Sequence, residues 1–87
     1  MEPPMKHVII YTTSVCPYCT KAKKLLEQKG VPFEEIDVSD EIEREKMMKK
    51  SGGRRSVPQI FIESKHVGGC DDLYALEKEG QLDSLLG

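Results

Sequence analysis

Two cysteines three residues apart stand between a segment typical of a buried strand and a segment typical of an amphipathic helix. The strand is predicted over residues 7–12, where nearly every side chain is apolar or β-branched, a pattern that indicates burial on both faces of a sheet. The helix is predicted to begin at Pro17, because proline suits a first helical turn, and to stop at Gly30. The Cys-Pro-Tyr-Cys motif at residues 16–19 therefore occupies a strand–loop–helix junction.

The next part of the chain predicts a second strand and a second helix. Residues 33–38 alternate between apolar and polar types, and a strand after the first strand and helix would lie parallel to the first strand, with a right-handed crossover. Asp40 and Glu43 resemble a capping box that opens a helix running to about Lys50. The expected apolar stripe of this helix is thin: Ile42, Met47 and Met48.

Two short strands and a helix complete the predicted order. Residues 59–62 predict a third strand and residues 66–67 a short fourth one, close enough to form an antiparallel hairpin. After residues 68–69, both glycine, either Asp71 or Asp72 is expected to cap a third helix. Leucines and one tyrosine predict the buried side of that helix and a last helical turn that packs back: Leu73, Tyr74, Leu76, Leu82, Leu85 and Leu86.

Size and charge exclude several classes of protein. The 87 residues predict a single domain, 1–87. The net charge of −2 comes from 13 basic and 15 acidic residues, whereas a dedicated nucleic-acid binder carries a basic excess. The sequence has neither the ~20-residue apolar run of a membrane span nor the apolar core of a secretory signal. We therefore expect no nucleic-acid or membrane partner, a cytoplasmic location, and, because the exposed faces are highly charged, a monomer.

The position of the cysteine pair predicts redox chemistry. A Cys-x-x-Cys beside a strand–helix–strand unit is typical of thiol–disulfide exchange. Cys16 falls at the start of the helix, where unpaired N–H groups and the helix dipole stabilise a thiolate, the nucleophilic form of cysteine. Cys19 lies within the first turn on the same side and can attack a mixed disulfide formed at Cys16. Cys16 is expected to be exposed, and Cys19 more buried with a higher pKa.

Two other interpretations of the cysteine pair remain open at this point. A single Cys-x-x-Cys is also half of a zinc site, and the remaining ligands would come from His7, His66 or Cys70. There is no second Cys-x-x-Cys, and the spacing of His66 and Cys70 is not that of a zinc finger. The pair could also consist of buried structural cysteines, although a strand–loop–Cys-Pro-x-Cys–helix context makes a chance occurrence uncommon.

Three segments in a fixed order carry a family resemblance. They are Cys16-Pro17-Tyr18-Cys19, Ser56-Val57-Pro58-Gln59-Ile60-Phe61-Ile62 and Gly68-Gly69-Cys70-Asp71-Asp72-Leu73. Together they resemble the dithiol glutaredoxins of the bacterial type, over essentially the whole chain from about Lys6 onward. The resemblance implies an α/β protein with a thioredoxin fold, in which a four-stranded mixed sheet is flanked by three to four helices in the order β-α-β-α-β-β-α.

The resemblance also implies an activity. The chain would be a glutathione-dependent thiol–disulfide oxidoreductase that reduces protein disulfides and glutathione mixed disulfides. Cys16 would be the nucleophile and Cys19 the resolving cysteine. Glutathione would be a co-substrate that restores the dithiol, with no tightly bound cofactor and no metal. Its partners would be glutathione and proteins that carry disulfides or glutathione.

A glutathione site follows from the same resemblance. The Val57–Pro58 bond would be cis, a minority form of ~5–6% for such bonds in folded proteins, and would place the Val57 backbone opposite the Cys16 sulfur. A helix start after two glycines offers backbone donors to a carboxylate, and Arg54 or Arg55 could meet another. The expected glutathione-binding set is Thr13, Tyr18, Arg55, Ser56, Val57, Pro58, Gly69, Cys70, Asp71 and Asp72.

Several of these positions allow a second interpretation. Tyr18 also fits the apolar side of the first helix, at helical spacing from Ala22 and Leu25. Cys70 is a spare thiol, either inert at a helix start or sensitive to oxidation. The family commonly carries a basic residue where this chain has Thr13, so the affinity for glutathione and the pKa of Cys16 are open.

Two further functions compete with the leading one. A thioredoxin-like reductant served by a flavoprotein reductase would typically have a Trp before the cysteine pair, and this chain has no Trp. An iron–sulfur carrier would hold a [2Fe–2S] cluster between two protomers through the first cysteine of each and two glutathiones. Pro17 disfavours this in the family, because it stiffens the turn.

Overall fold

The computed structural model describes residues 7–63 and 65–86. The strands in this part of the chain are β1 (Val8–Thr12), β2 (Phe33–Asp37), β3 (Gln59–Ile62) and β4 (Lys65–Gly68). The helices there are α1 (Pro17–Gln28), α2 (Glu41–Lys50), α3 (Cys70–Lys78) and α4 (Leu82–Leu86). The predicted order of elements is confirmed, with a fourth helix formed by the last turn.

The four strands form one mixed sheet in the order β2-β1-β3-β4. β1 runs parallel to β2 and antiparallel to β3, and β3 and β4 form the antiparallel hairpin, with an irregularity between Ile60 and Phe61. Every residue of β3 is buried, and so is every residue of β1 except Ile9, which is half-buried. This burial agrees with the prediction of central strands that are covered on both faces. β2 lies at an edge, and none of its residues is fully buried.

A hydrophobic layer on each face of the sheet holds the helices in place. On one face α1, α3 and α4 pack against alternate residues of β1 and β3, in a cluster that includes Ile10, Leu26, Ile60, Leu73 and Leu82. On the other face α2 covers a smaller cluster of Tyr11, Val38, Met47 and Phe61. Successive residues of each strand point to opposite faces, so β1 and β3 contribute to both clusters.

The sheet register brings the reactive segments together at one end of the central strands β1 and β3. The last pair between the antiparallel strands β1 and β3 is Tyr11 with Gln59. The loop that leaves β1 carries Cys16, and the loop that enters β3 carries Val57 and Pro58, so the two loops meet beyond this pair.

The start of α2 differs from the prediction. Asp40 is the N-cap residue, but its side chain makes no capping hydrogen bond, and Glu43 pairs instead with Lys46 at 3.2 Å. Ile42 is 65% exposed, so it does not belong to the apolar stripe. α2 therefore packs on the sheet through Met47, which is fully buried, and through the partly buried Met48.

The start of α3 also differs from the prediction. Neither Asp71 nor Asp72 occupies the cap position, which belongs to Gly69. Asp72 is the third helical residue, and its carboxylate accepts the backbone N–H of Gly69 at 2.9 Å. The helix begins earlier than predicted because this carboxylate reaches back and satisfies the free amide.

The helices of the described part of the chain are short. In 7–63 and 65–86 the longest helix is α1, with 12 residues, and none has the combination of length and apolar character needed to traverse a bilayer.

Candidate active site

Cys16 caps the N-terminus of α1 with its own sulfur. Its backbone is extended, Pro17 follows as the first helical residue, and the Cys16 Sγ accepts the backbone N–H of Cys19 at 3.1 Å. Proline costs no hydrogen bond here, since its position in a first turn has no helical acceptor to bond. The positive end of the helix dipole and a backbone donor therefore converge on the Cys16 sulfur.

Cys16 and Cys19 form a disulfide, with their Cα atoms 5.1 Å apart. Cys16 is half-buried, whereas Cys19 is 2% exposed and packs into the inner face of α1. Cys16 is therefore the more accessible of the two, as predicted, although it is less exposed than expected. An attacking thiolate can approach the Cys16 sulfur from solvent, while the Cys19 sulfur is covered.

The loop before β3 lies against the disulfide. The Val57–Pro58 peptide bond is cis, as predicted. The Cys16 Sγ lies 3.9 Å from the carbonyl oxygen of Val57. The backbone of Val57 is thereby held beside the reactive sulfur.

A groove of about 370 Å³ opens beside this contact. Its walls come from the first turn of α1, the loop before β3 and the first turn of α3. The lining residues are Tyr18, Arg54, Ser56, Val57, Pro58, Gly69, Cys70, Asp71 and Asp72. Eight of the ten residues predicted to bind glutathione are among them.

Close backbone approach shapes the α3 side of the groove. A Cβ added at Gly69 would lie 3.3 Å from the carbonyl oxygen of Pro58, tighter than an ordinary contact. Gly68 has a φ of +123°, and a Cβ there would run into the Asp72 carboxylate. The two glycines therefore let α3 start next to the cis-proline loop.

Arg54, rather than Arg55, faces the groove. The Arg55 guanidinium makes two hydrogen bonds to Glu41 on α2, at 2.7 and 2.8 Å, and this pairing holds the pKa of Glu41 below its usual range. Arg55 is thereby turned away, and it does not belong to the lining. Thr13, in the loop after β1, is half-buried and also lies outside the lining.

The burial of Tyr18 and of Cys70 decides between the two interpretations that the sequence left open for each. Tyr18 is 61% exposed at the mouth of the groove, so it is not part of the apolar side of α1. Cys70 is 5% exposed, and burial raises the pKa of its thiol. A buried thiol with a raised pKa carries little thiolate, the reactive form.

A polar pair behind the groove was missed by the sequence analysis. Gln59, fully buried, donates to Ser56 through its amide nitrogen and contacts His66 through its amide oxygen. The available signal was a glutamine directly after Pro58 in an otherwise apolar strand. A buried polar side chain needs partners, and the sequence alone does not show which partners the hairpin supplies.

A zinc site would need several ligand side chains close together. Within 7–63 and 65–86 no three His, Cys, Asp or Glu side chains are grouped as a metal site would need. Cys16 and Cys19 are bonded to each other, and His66 contacts Gln59.

Comparisons with known proteins agree with this geometry. The glutaredoxin family model matches residues 8–67. Glutaredoxin 1 of Rickettsia prowazekii is 63% identical over 81 residues, covering 91% of this chain and 85% of the relative. The solution structure of glutaredoxin from Brucella melitensis is 60% identical with a TM-score of 0.84, over 97% of this chain and 91% of that one.

A ligand-bound structure is also similar. The crystal structure of the buckwheat glutaredoxin–glutathione complex superposes with a TM-score of 0.83 at 29% identity, over 91% of this chain and 74% of that one. The sheet order and the placement of helices make the fold thioredoxin-like. With the disulfide, the fold and these similarities in agreement, the chain belongs to the glutaredoxin family of thiol–disulfide oxidoreductases.

Proposed function

We propose that the chain reduces glutathione mixed disulfides and protein disulfides, with Cys16 as the nucleophile and Cys19 as the resolving cysteine. The observation that carries this proposal is the geometry of Cys16. Cys16 is the more accessible cysteine of the pair, and its sulfur receives the N–H of Cys19 at 3.1 Å. The same sulfur lies 3.9 Å from the carbonyl oxygen of Val57, a residue that lines a polar groove. In the reduced protein the same N–H and the dipole of α1 would stabilise the Cys16 thiolate.

With a glutathione mixed disulfide, one cysteine is sufficient. The Cys16 thiolate attacks the glutathione sulfur, the disulfide of the substrate breaks, and the partner leaves as a thiolate that takes up a proton from water. Cys16 is then bonded to glutathione. A second glutathione thiolate attacks the bound glutathione sulfur, which forms oxidised glutathione and frees the Cys16 thiolate.

With a protein disulfide, both cysteines take part. The Cys16 thiolate attacks one sulfur of the substrate, the substrate disulfide breaks, and a protein–Cys16 mixed disulfide forms. The Cys19 thiolate then attacks the Cys16 sulfur, releases the reduced protein and forms the Cys16–Cys19 disulfide. Two glutathiones reduce that disulfide and become oxidised glutathione.

The groove supplies complementary groups for glutathione, a tripeptide with two carboxylates and one ammonium. The backbone of Val57 is placed to pair with the extended ligand as an added strand does. The free N–H groups at the start of α3 suit one carboxylate, and Asp71 and Asp72 suit the ammonium. Arg54 is the cation best placed for the second carboxylate. The glutathione in the similar buckwheat complex supports this ligand.

The setting of the reaction is part of the proposal. We place the chain in the cytoplasm, where glutathione is kept reduced and can regenerate the dithiol. We propose that it acts as a monomer with no tightly bound cofactor, since each chain carries its own cysteine pair and groove.

A coupled assay tests the proposal. The mixed disulfide of glutathione and 2-mercaptoethanol is supplied with glutathione, NADPH and glutathione reductase, and NADPH oxidation is followed for wild type, Cys16→Ser and Cys19→Ser. We expect activity in wild type and Cys19→Ser and none in Cys16→Ser. No turnover by wild type would contradict the glutathione dependence, and turnover restored by a thioredoxin reductase would assign the alternative electron donor.

The iron–sulfur alternative is tested on the same preparation. A bridged [2Fe–2S] cluster gives a brown dimer, whereas the oxidoreductase alone is a colourless monomer. We expect a colourless protein after anaerobic purification with glutathione present, as measured by its visible absorption spectrum and by gel filtration.

A further inference from the structure

Gln59 is a fully buried polar side chain directly behind the groove. It is the first residue of β3, where the other three residues are Ile60, Phe61 and Ile62. Its exposed fraction is 0%, and it does not line the groove itself. Burying an amide destabilises the fold unless its donors and acceptor are hydrogen-bonded. The partners of the Gln59 amide therefore indicate its structural role.

Both ends of the Gln59 amide are bonded. The amide nitrogen donates to the Ser56 carbonyl oxygen at 2.9 Å and lies 3.2 Å from the Ser56 Oγ. The amide oxygen lies 2.7 Å from the His66 Nε2. Since the amide oxygen can only accept, the His66 Nε2 must carry the proton and donate it. The network therefore runs from His66 through Gln59 to the backbone of Ser56.

The His66 ring is itself fixed in place. It packs against the Phe61 ring, with 4.9 Å between the ring centroids and 32° between the ring planes. Burial, and to a lesser extent the Arg54 guanidinium, holds the pKa of His66 below its usual range, while Asp72 acts in the opposite direction. The ring is thus neutral near pH 7, with its single N–H directed at Gln59.

The far end of the network reaches the reactive sulfur. Ser56 lines the groove and is followed by Val57, whose carbonyl oxygen lies 3.9 Å from the Cys16 Sγ. Ser56 is exposed, and the Gln59 amide binds its carbonyl oxygen from the buried side of the loop. Just upstream, Arg44 donates to the Arg55 carbonyl oxygen and Ser51 to that of Arg54, so Gln59 is the side chain that fixes Ser56 itself. A shift at Ser56 would move the Val57 backbone relative to Cys16.

We propose that Gln59 is a positioning residue: it fixes the Ser56–Val57 backbone against Cys16 and thereby sets the affinity for the glutathione part of the substrate. His66 is the second member, because its N–H turns the Gln59 amide so that the nitrogen faces Ser56. This inference rests on the proposed function, since it assigns the Val57 backbone to the glutathione ligand.

The test compares Gln59→Met with wild type. Methionine has a similar length and volume but cannot hydrogen-bond to Ser56. In the coupled assay with the mixed disulfide of glutathione and 2-mercaptoethanol, we expect KM to rise about three- to tenfold, as for one lost hydrogen bond. The kcat per reactive Cys16, counted by alkylation, should stay within about twofold.

A matched control distinguishes the loss of the Gln59 hydrogen bonds from a general destabilisation of the core around β3. Ile62→Met makes a volume-conserving change at the other end of β3, away from the groove. Its KM should stay within about twofold of the wild-type value. A Gln59→Met protein with unchanged KM, or one in which KM rises equally in Ile62→Met, would overturn the proposal.

Two measurements avoid substitution of a core residue. Nitrogen-15 NMR of the wild-type imidazole should show the His66 proton on Nε2, and a proton on Nδ1 would overturn the network as described. His66→Phe should keep the ring packing and raise KM about two- to threefold, because the amide loses its orienting donor.

The same assay distinguishes the role of Gln59 from the proposed function. Wild type that does not turn over the mixed disulfide contradicts the function itself. Wild type that turns it over, with Gln59→Met unchanged in KM, contradicts only the role of Gln59.

Discussion

The Arg54 guanidinium and the Asp72 carboxylate meet across the groove, with 3.6 Å between Nη1 and Oδ2. The same Oδ2 accepts the backbone N–H of Gly69 at 2.9 Å. The Asp72 carboxylate thus satisfies the backbone amide at the start of α3 and presents negative charge to the groove. Arg54 comes from the loop before β3, so the pair connects the two walls between which we place glutathione.

Asp72→Asn should weaken substrate binding more than it weakens the fold. Asparagine can still accept the Gly69 N–H, so the start of α3 is kept, but the charge that complements the glutathione ammonium is lost. We expect KM for the mixed disulfide to rise about tenfold, because a hydrogen bond to a charged group is a strong one. The measurement is the coupled assay at several substrate concentrations.

Glu79→Gln is the control for that experiment, since it removes a charge from the far end of α3. It should leave KM unchanged within about twofold. A KM for Asp72→Asn equal to that of Glu79→Gln would remove Asp72 from the binding site.

Gly68→Ala should destabilise the fold. Gly68 has a φ of +123°, and its Cβ would collide with the Asp72 carboxylate. We expect a loss of at least about 2 kcal/mol in the free energy of unfolding, measured by urea denaturation of the reduced protein. Gly52→Ala, at a φ of +71° in open space, should cost only about 1 kcal/mol, and equal losses would contradict the collision.

Glu35 should make part of the stability depend on pH. The Thr12 hydroxyl donates to its Oε2 at 2.7 Å and Lys23 lies at 3.0 Å. These contacts, Thr12 first, hold the pKa of Glu35 below its ordinary value of 4.5. A lowered carboxyl pKa means that the contribution is present above pH 4.5 and is lost as the pH falls through the native pKa.

Comparison with Glu35→Gln isolates this contribution, because glutamine can still accept the Thr12 hydroxyl. In urea unfolding between about pH 6 and about pH 3, the stability advantage of wild type over the variant should shrink as the pH falls. A constant difference across that range would show that the Glu35 charge contributes nothing.

Thr13→Lys should strengthen substrate binding. The family commonly has a basic residue at this position, and Thr13 lies in the loop between β1 and Cys16. A lysine there would add a cation for a glutathione carboxylate, and we expect KM to fall about two- to fivefold at low salt. The gain should shrink at high ionic strength, and Thr13→Gln should show none. An unchanged KM would mean that the loop is out of reach of the ligand.

The sequence was most informative where one residue decides the local conformation. Pro17 after Cys16 predicted the start of α1, and Gly30, with a φ of +70°, ended it as expected. The central strands were predictable because continuous apolar runs permit few alternatives. The order of the elements was predicted on the same basis, whereas the groove residues on the cis-proline loop and α3 were implied by the family resemblance.

The structure differs from the prediction, or adds to it, where tertiary partners decide the outcome. Arg54 and Arg55 are adjacent and chemically identical, and they differ in their tertiary partners: Arg55 pairs with Glu41 on α2, whereas Arg54 lies against Asp72 in the groove. Asp72 reaches back to Gly69 instead of capping from its own position. The bonds from Gln59 to Ser56 and His66 depend on the hairpin register, which composition does not encode.

In the proposed reaction, Cys16 exchanges disulfides with glutathione. This exchange can be observed by incubating reduced Cys19→Ser with oxidised glutathione and mapping the product by mass spectrometry. The Cys16 thiolate should attack one sulfur of oxidised glutathione, release one glutathione and retain the other as a mixed disulfide. We expect one glutathione on the Cys16 peptide and none on the buried Cys70. Modification of Cys70 in place of Cys16, or no adduct at all, would contradict the proposed exchange.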